Sequence, residues 1–185
     1  MDSGEKAEPK DDLLIMSTCS RLKLPPPSRA ASQIIYGYVL PKLRSKYPPC
    51  RLALASVYLA AKATESGMKA SAYKSATGFT VDVALETAIV ELLGFRFDFF
   101  DIHGHTSEIC RVLRLEADDK LARVEKILGS PALNRINFID GEYEPFHACL
   151  AAFSDGEIGL FERVFCVKID RLPIAEIRAT YGIAC

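Results

Sequence analysis

Few side chains in this 185-residue chain stand where chemistry could be done. Lys62 is one. It lies near the carboxyl end of the run Leu52–Glu65, LALASVYLAAKATE, whose other positions are almost all Ala, Leu, Val or Tyr. A helix apolar on nearly every side is a central helix covered by neighbours, and an ammonium on it needs a reason. Tyr58 and Leu59, four and three residues earlier, share its face. Either the lysine lays its stem on apolar surface and keeps its head in water, as suits the carboxyl end of a helix, or it meets a carboxylate. Glu86 is the candidate. In the run Val81–Leu93 it stands between Val83 and Val90, at spacings of three and four. An unpaired carboxylate among apolar groups is costly or shifts its pKa. So Glu86 either takes Lys62 as its partner or sits at an exposed rim.

Other constellations carry less. His103-Gly104-His105 places two histidines at i and i+2, with no Cys, Asp or Glu at ligand spacing, so no metal is expected. His147 stands alone in an apolar run and reads as a core or boundary histidine. No P-loop, GxGxxG, GxSxG or HExxH occurs, and no spacing singles out a nucleophile or a base. Neither catalysis nor a cofactor is expected. The six cysteines, at 19, 50, 110, 149, 166 and 185, form no CxxC pair. They read as reduced core thiols of an intracellular protein. Net charge is −1 with the basic residues spread out, which argues against direct nucleic-acid binding. No run is long and apolar enough for a membrane span, so no membrane partner is expected.

The elements that must position Lys62 and Glu86 are helical. Residues 1–10 are polar and read as a flexible N-terminus. A short helix is expected over 11–22, ended by Pro25-Pro26-Pro27. Ser28 then reads as the N-cap of a second helix running to about Arg44, with Pro41 inside it. Tyr47-Pro48-Pro49 breaks the chain again, and the third helix follows from Cys50 to Glu65, closed by Gly67. A short helix over 70–76 ends at Gly78. Thr80 reads as the cap of the Glu86 helix, which stops at Gly94. Phe95–Phe100 alternates apolar and charged residues and reads as an extended connector. Further helices are expected at 106–115, 118–128, 131–139, 145–152, 157–167 and 173–181. The fold class is therefore all-α, about five helices before residue 100 and about five after. A first bundle over 11–100 is followed by a second, reduced one over 101–185.

Four pieces in this order resemble the cyclin family. SRAASQIIYGYVL follows a proline-rich turn. LALASVYLAAK is similar to the cyclin run that ends in L-A-x-K before acidic residues. ETAIVELLGFRFDF is similar to the cyclin pattern of a glutamate nine residues ahead of an aromatic. DIHGHTSEICRVL resembles the opening of a second cyclin repeat. The Tyr47-Pro48 turn and ALNRINFID resemble the transcriptional branch of the family. The likeness covers about residues 10–115 and is thin beyond.

What the resemblance implies is a cyclin fold of two five-helix repeats and a non-catalytic subunit of a cyclin-dependent protein kinase, nuclear, with a third assembly subunit an option. It implies that Lys62 and Glu86 pair and hold the kinase-binding surface, joined by Leu59, Phe95 and Phe97. Two departures stand out. The family's K-x-E-E is here Lys62-Ala63-Thr64-Glu65, one acid short, and the second repeat is short. The M-R-A-I-L docking motif of cell-cycle cyclins is not found in the first helix, DDLLIMSTC. A DNA-binding factor of the TFIIB type shares such paired repeats. The near-neutral charge and the lack of a zinc ribbon speak against it, and a generic helical adaptor is the other alternative.

Overall fold

The computed structural model describes residues 9–95, 101–128 and 145–184. Prolines begin helices here as often as they end them. Pro26 and Pro49 each occupy the first turn, where the missing N–H is no loss and the fixed φ already suits the helix. The first half carries α1 (Pro9–Arg21), α2 (Pro26–Leu43), α3 (Pro49–Ala63), α4 (Ala70–Thr77) and α5 (Val83–Leu92). The second carries α6 (Ile102–Leu113), α7 (Asp118–Leu128), α8 (Pro145–Ala151), α9 (Asp155–Phe165) and α10 (Leu172–Tyr181). The described residues are all-α, with no strand among them. No described helix is long and apolar enough to cross a membrane. The helix expected over 131–139 lies outside the described residues.

Several expected boundaries move. Ser28 is not a cap. Pro25 holds that position, and Ser28 is fully buried inside α2, its hydroxyl 2.5 Å from that of Thr64. Thr80 is not a cap either. Asp82 is, its carboxylate accepting the Leu85 N–H at 2.7 Å. α3 ends before Gly67. Glu65 takes the left-handed conformation (φ 49°), and the Ser66 N–H reaches back to the Ala61 carbonyl at 3.1 Å. α6 begins four residues early, at Ile102, because Asp101 caps it through the Gly104 N–H. His103 and His105 therefore ride on a helix rather than a connector.

Two clusters of buried side chains form. In the first, Ile15, Cys19, Ile35, Tyr36 and Val39 close around Leu52, Val57 and Leu59 of α3, with Leu85, Ile89 and Leu93 from the α5 side. Each large side chain so buried contributes roughly 2 kcal/mol relative to exposure. α3 packs against α1, α2 and α5. In the second, residues 148–153 are all buried, and α8 packs against α6, α7 and α10. Among the described helices, α3 is thus the central one of the first half and α8 of the second. α2 serves both clusters. Ala31, Ile35 and Val39 face the first, while Ala30 and Ile34, one position round the helix, join the second.

Candidate functional site

The site is built by α3 and α5. Two ion pairs fix one helix on the other. Arg51, in the first turn of α3, meets the capping carboxylate Asp82 at 2.6 Å, with its guanidinium 5.6 Å from the centre of the Phe79 ring. At the other end of α3, Lys62 Nζ donates to Glu86 Oε1. The bond to Glu86 raises the Lys62 pKa above the usual lysine range, with partial burial working against it. The Lys62 ammonium also lies 5.3 Å from the centre of the Tyr58 ring. Tyr58 stands against Tyr73, ring centres 5.1 Å apart, and the Tyr73 hydroxyl donates to the Leu54 carbonyl at 2.7 Å. The lysine's rotamer is therefore set from two sides.

The two residues meet at a rim. The Lys62 side chain is 49% exposed and that of Glu86 27%. The apolar enclosure expected from Val83 and Val90 does not form, because Val83 points to solvent and is 79% exposed. Beneath the pair lies an open groove of about 300 Å³ lined by Leu59, Lys62, Ala63, Glu86 and Val90. Leu59 is its buried floor. Val83, Glu86 and Val90 follow one another at spacings of three and four along α5, so they share a face. Phe95, whose N–H bonds the Val90 carbonyl at 3.1 Å, stands 71% exposed with φ 58°. The left-handed conformation closes α5 here as it closes α3, α6 and α9 at Glu65, Arg114 and Cys166. Phe97 lies outside the described residues.

The structure thus brings Leu59, Lys62 and Glu86 together at one groove and places Phe95 at the carboxyl end of the helix that forms its wall. The patterning gave no hint of Arg51–Asp82 or of Val83 as an exposed residue. The Asp82–Leu85 cap had a sequence signal, an aspartate three residues ahead of the first buried leucine. Chemically the groove offers an apolar floor and a charged rim. Lys62 uses one of its three N–H donors on Glu86, which leaves polar capacity for an incoming group. The two ionisable groups in its lining, Lys62 and Glu86, are paired with each other.

The remaining candidates sit elsewhere. His103 Nε2 lies 3.7 Å from Glu125, linking α6 to α7. His147 is half-buried on α8. Cys19, Cys110 and Cys149 are buried free thiols, and burial pushes Cys19 up to about 11 and Cys149 up to about 12. Cys50 and Cys166 are exposed, against the expectation of core thiols. Cys50 occupies the exposed first turn of α3, and Cys166 the left-handed residue just after α9. No protein-family model matches the chain, and no curated protein is similar to it in sequence.

Proposed function

We propose that this chain is a cyclin-like regulatory subunit that binds and activates a cyclin-dependent protein kinase. The observation that carries the reading is the Lys62–Glu86 pair at the rim of an apolar groove, on a central helix, with Val83 and Phe95 exposed along the adjoining helix. Exposed large apolar side chains beside a partly desolvated charge pair are what a protein interface leaves uncovered in the free subunit. Among the described residues, the order of five helices in each half, with α3 and α8 central, suits a cyclin fold of two successive repeats. Leu59, Lys62, Glu86 and Phe95, with Phe97 beside them in sequence, would form the kinase-binding surface.

In this reading the groove packs on the kinase helix that bears the active-site glutamate. It binds the inward position of that helix better than the outward one, and so completes the lysine–glutamate pair that positions ATP. The role is that of cyclin H, in the kinase that activates other cyclin-dependent kinases and serves TFIIH in RNA polymerase II transcription. The protein is then nuclear, with a third assembly subunit an option.

Co-expression with candidate cyclin-dependent kinases tests this. A stable heterodimer with raised kinase activity is expected. Lys62→Ala and Glu86→Ala should each weaken that heterodimer by about tenfold or more while melting within a few degrees of wild type, since a half-exposed pair contributes at most about 1 kcal/mol to folding. No complex with any candidate, or undiminished binding by both variants, sinks the proposal.

A further inference from the structure

The net charge of −1 hides a separation of charge. Residues 20–81 hold ten Lys or Arg and one acid, Glu65, while the rest of the chain holds thirteen against twenty-three. The basic residues are therefore gathered, against the even spread expected from the sequence. Arg51 and Lys62 spend their charge on Asp82 and Glu86. Four others stand exposed around α4. That helix is pinned by Tyr73, which is buried, with its ring on Tyr58 and its hydroxyl on the Leu54 carbonyl. Ser71, Lys74 and Ser75 are exposed and share a face at spacings of three and four. Lys69, also exposed, holds the N-cap position, about 7.5 Å before Lys74 along the axis. Arg21 ends α1 and reaches across to the Ala76 carbonyl at 2.7 Å, which joins the two helices, and Lys23 follows two residues on. The carbonyl occupies one N–H of the guanidinium and leaves its positive charge unopposed. Among the described residues, Lys23, Lys69 and Lys74 form no ion pair. Glu65, just after α3, is the one acid near them in sequence. Asp11 lies about 15 Å away along α1 and is bonded by Tyr36.

We infer that α4 and the end of α1 bind the phosphate backbone of double-stranded DNA without regard to sequence. Lysine, arginine and serine side chains are the groups that meet phosphate oxygens. The net charge does not oppose this, because phosphate contact is set by the cations at the surface. What the surface lacks excludes other occupants. Residues 20–81 hold no Asn, and their one Gln, Gln33, is buried, so no carboxamide reads a base edge. Tyr73 is buried and Phe79 half-buried, so no aromatic is exposed for the bases of a single strand to stack on. None of the exposed large apolar side chains of the described residues falls within 20–81. A protein segment would find no apolar anchor there, and a membrane no side chain to take up. Duplex RNA is recognised through 2′-hydroxyls over about 16 base pairs, a span far beyond an eight-residue helix about 12 Å long. The inference stands apart from the kinase reading, because it uses no residue of the groove.

The test uses the full chain without a kinase and two fluorescent DNA duplexes of unrelated sequence, about 24 base pairs each. Anisotropy is followed between about 25 and 200 mM salt. Binding should be micromolar at the lowest salt and equal for the two duplexes within about twofold. Four neutralised phosphates set the slope of log affinity against log salt at about −3 to −4. Lys69→Gln with Lys74→Gln should make the slope shallower by about 2 and weaken binding at least about fivefold at about 50 mM salt. The melting temperature should not change, both side chains being exposed. Arg163→Gln with Lys168→Gln, two exposed cations of the second half, should leave slope and affinity as they were. The proposal is overturned by no binding at the lowest salt, by a preference for one duplex beyond tenfold, or by equal losses in the two double variants. It is equally overturned if duplex RNA, a glutamate-rich peptide or phosphatidylcholine–phosphatidylserine vesicles bind more tightly than the DNA.

Discussion

The carboxyl ends of α3 and α8 present the same physical problem and solve it differently. Each is the central helix of its half, and each must satisfy terminal carbonyls that have no partner within the helix. α3 does so locally. The Glu65 N–H turns back to the Lys62 carbonyl at 3.2 Å, and the Ser66 N–H and hydroxyl both reach that of Ala61. α8 closes only in part this way, the Ala152 and Phe153 N–H groups turning back to the Cys149 and Leu150 carbonyls at 3.1 and 3.0 Å, and completes the closure with arginines brought from other helices. Arg178 of α10 donates to the Phe153 carbonyl and, at 3.3 Å, to that of Ala151, while Arg123 of α7 donates to that of Ala152 at 2.9 Å. The local solution leaves the side chains at the end of α3 facing outward, and Lys62 is free to stand over a groove. The tertiary solution fills the end of α8 with guanidinium. One half therefore keeps an open groove beside its central helix, and the other closes that place with partly buried guanidinium groups.

The sharpest way to break this comparison is Arg178→Ala. The guanidinium is mostly buried and serves two carbonyls and Asp155. Its loss strands buried acceptors, which is expected to cost about 3 kcal/mol, on the order of a 10 °C fall in melting temperature for a domain of this size. Lys62→Ala, the matching change at α3, should cost at most about 1 kcal/mol. Thermal unfolding of both variants checks the pair of values. Equal losses would mean that the two helix ends do not differ in the way described.

How much of this was legible in the sequence follows from the range of the forces involved. α2 and α3 were visible because apolar periodicity and proline punctuation are local signals, and Lys62 and Glu86 were visible as charges out of place on apolar helices. Ser28 was misread because three prolines look like a break, although Pro26 at a first helical position starts a helix as readily. The capping box at α9, Ser154 with Glu157, had its S-x-x-E signature in plain view. Arg123 and Arg178 had none. They reach carbonyls 25 to 29 residues away in sequence, and such contacts exist only once the helices have packed. The exposure of Val83 was hidden for the same reason, since periodicity gives a face but not what covers it.

A gentler way to separate the halves is acid. Arg178 beside Asp155 holds that carboxyl below the usual range. Burial would raise Glu157, but Lys120 and Ser154 outweigh it and keep it low. The Ile169 N–H and then Arg171 lower Glu162. All three lie in the second half. A folded pKa below the unfolded one gives stability that is present above about pH 4 and is lost as pH falls through the folded value. Lys62 has the opposite sign. Its raised pKa gives a contribution present below about pH 10 and lost as pH rises through the folded value. Between pH 7 and pH 3, amide resonances of α8–α10 should therefore broaden before those of α2 and α3 in nitrogen-15 correlation spectra. The loss should be smaller than in Arg178→Ala, because protonating Asp155 leaves the guanidinium on its carbonyls. Simultaneous loss in both halves, or earlier loss in α3, contradicts the assignment.

The smallest expected effect tests the local closure of α3 itself. Glu65 carries φ 49°, a conformation that crowds the Cβ of an L-residue against backbone and that helices commonly give to glycine at this position. Its side chain is exposed. Glu65→Gly removes the crowding but frees the unfolded chain, so the two effects oppose and the net gain should be about 0.5–1 kcal/mol. Urea unfolding should show a higher midpoint with an unchanged slope. The equivalent change after α9, Cys166→Gly at φ 52°, should behave in the same way, because that helix too ends on a local turn, with the Val167 N–H bonded to the Glu162 carbonyl at 3.1 Å. If Glu65→Gly instead destabilises, the turn after α3 is held by the Glu65 side chain and not by the backbone bonds to Lys62 and Ala61, and the contrast with the arginine-closed end of α8 loses its basis.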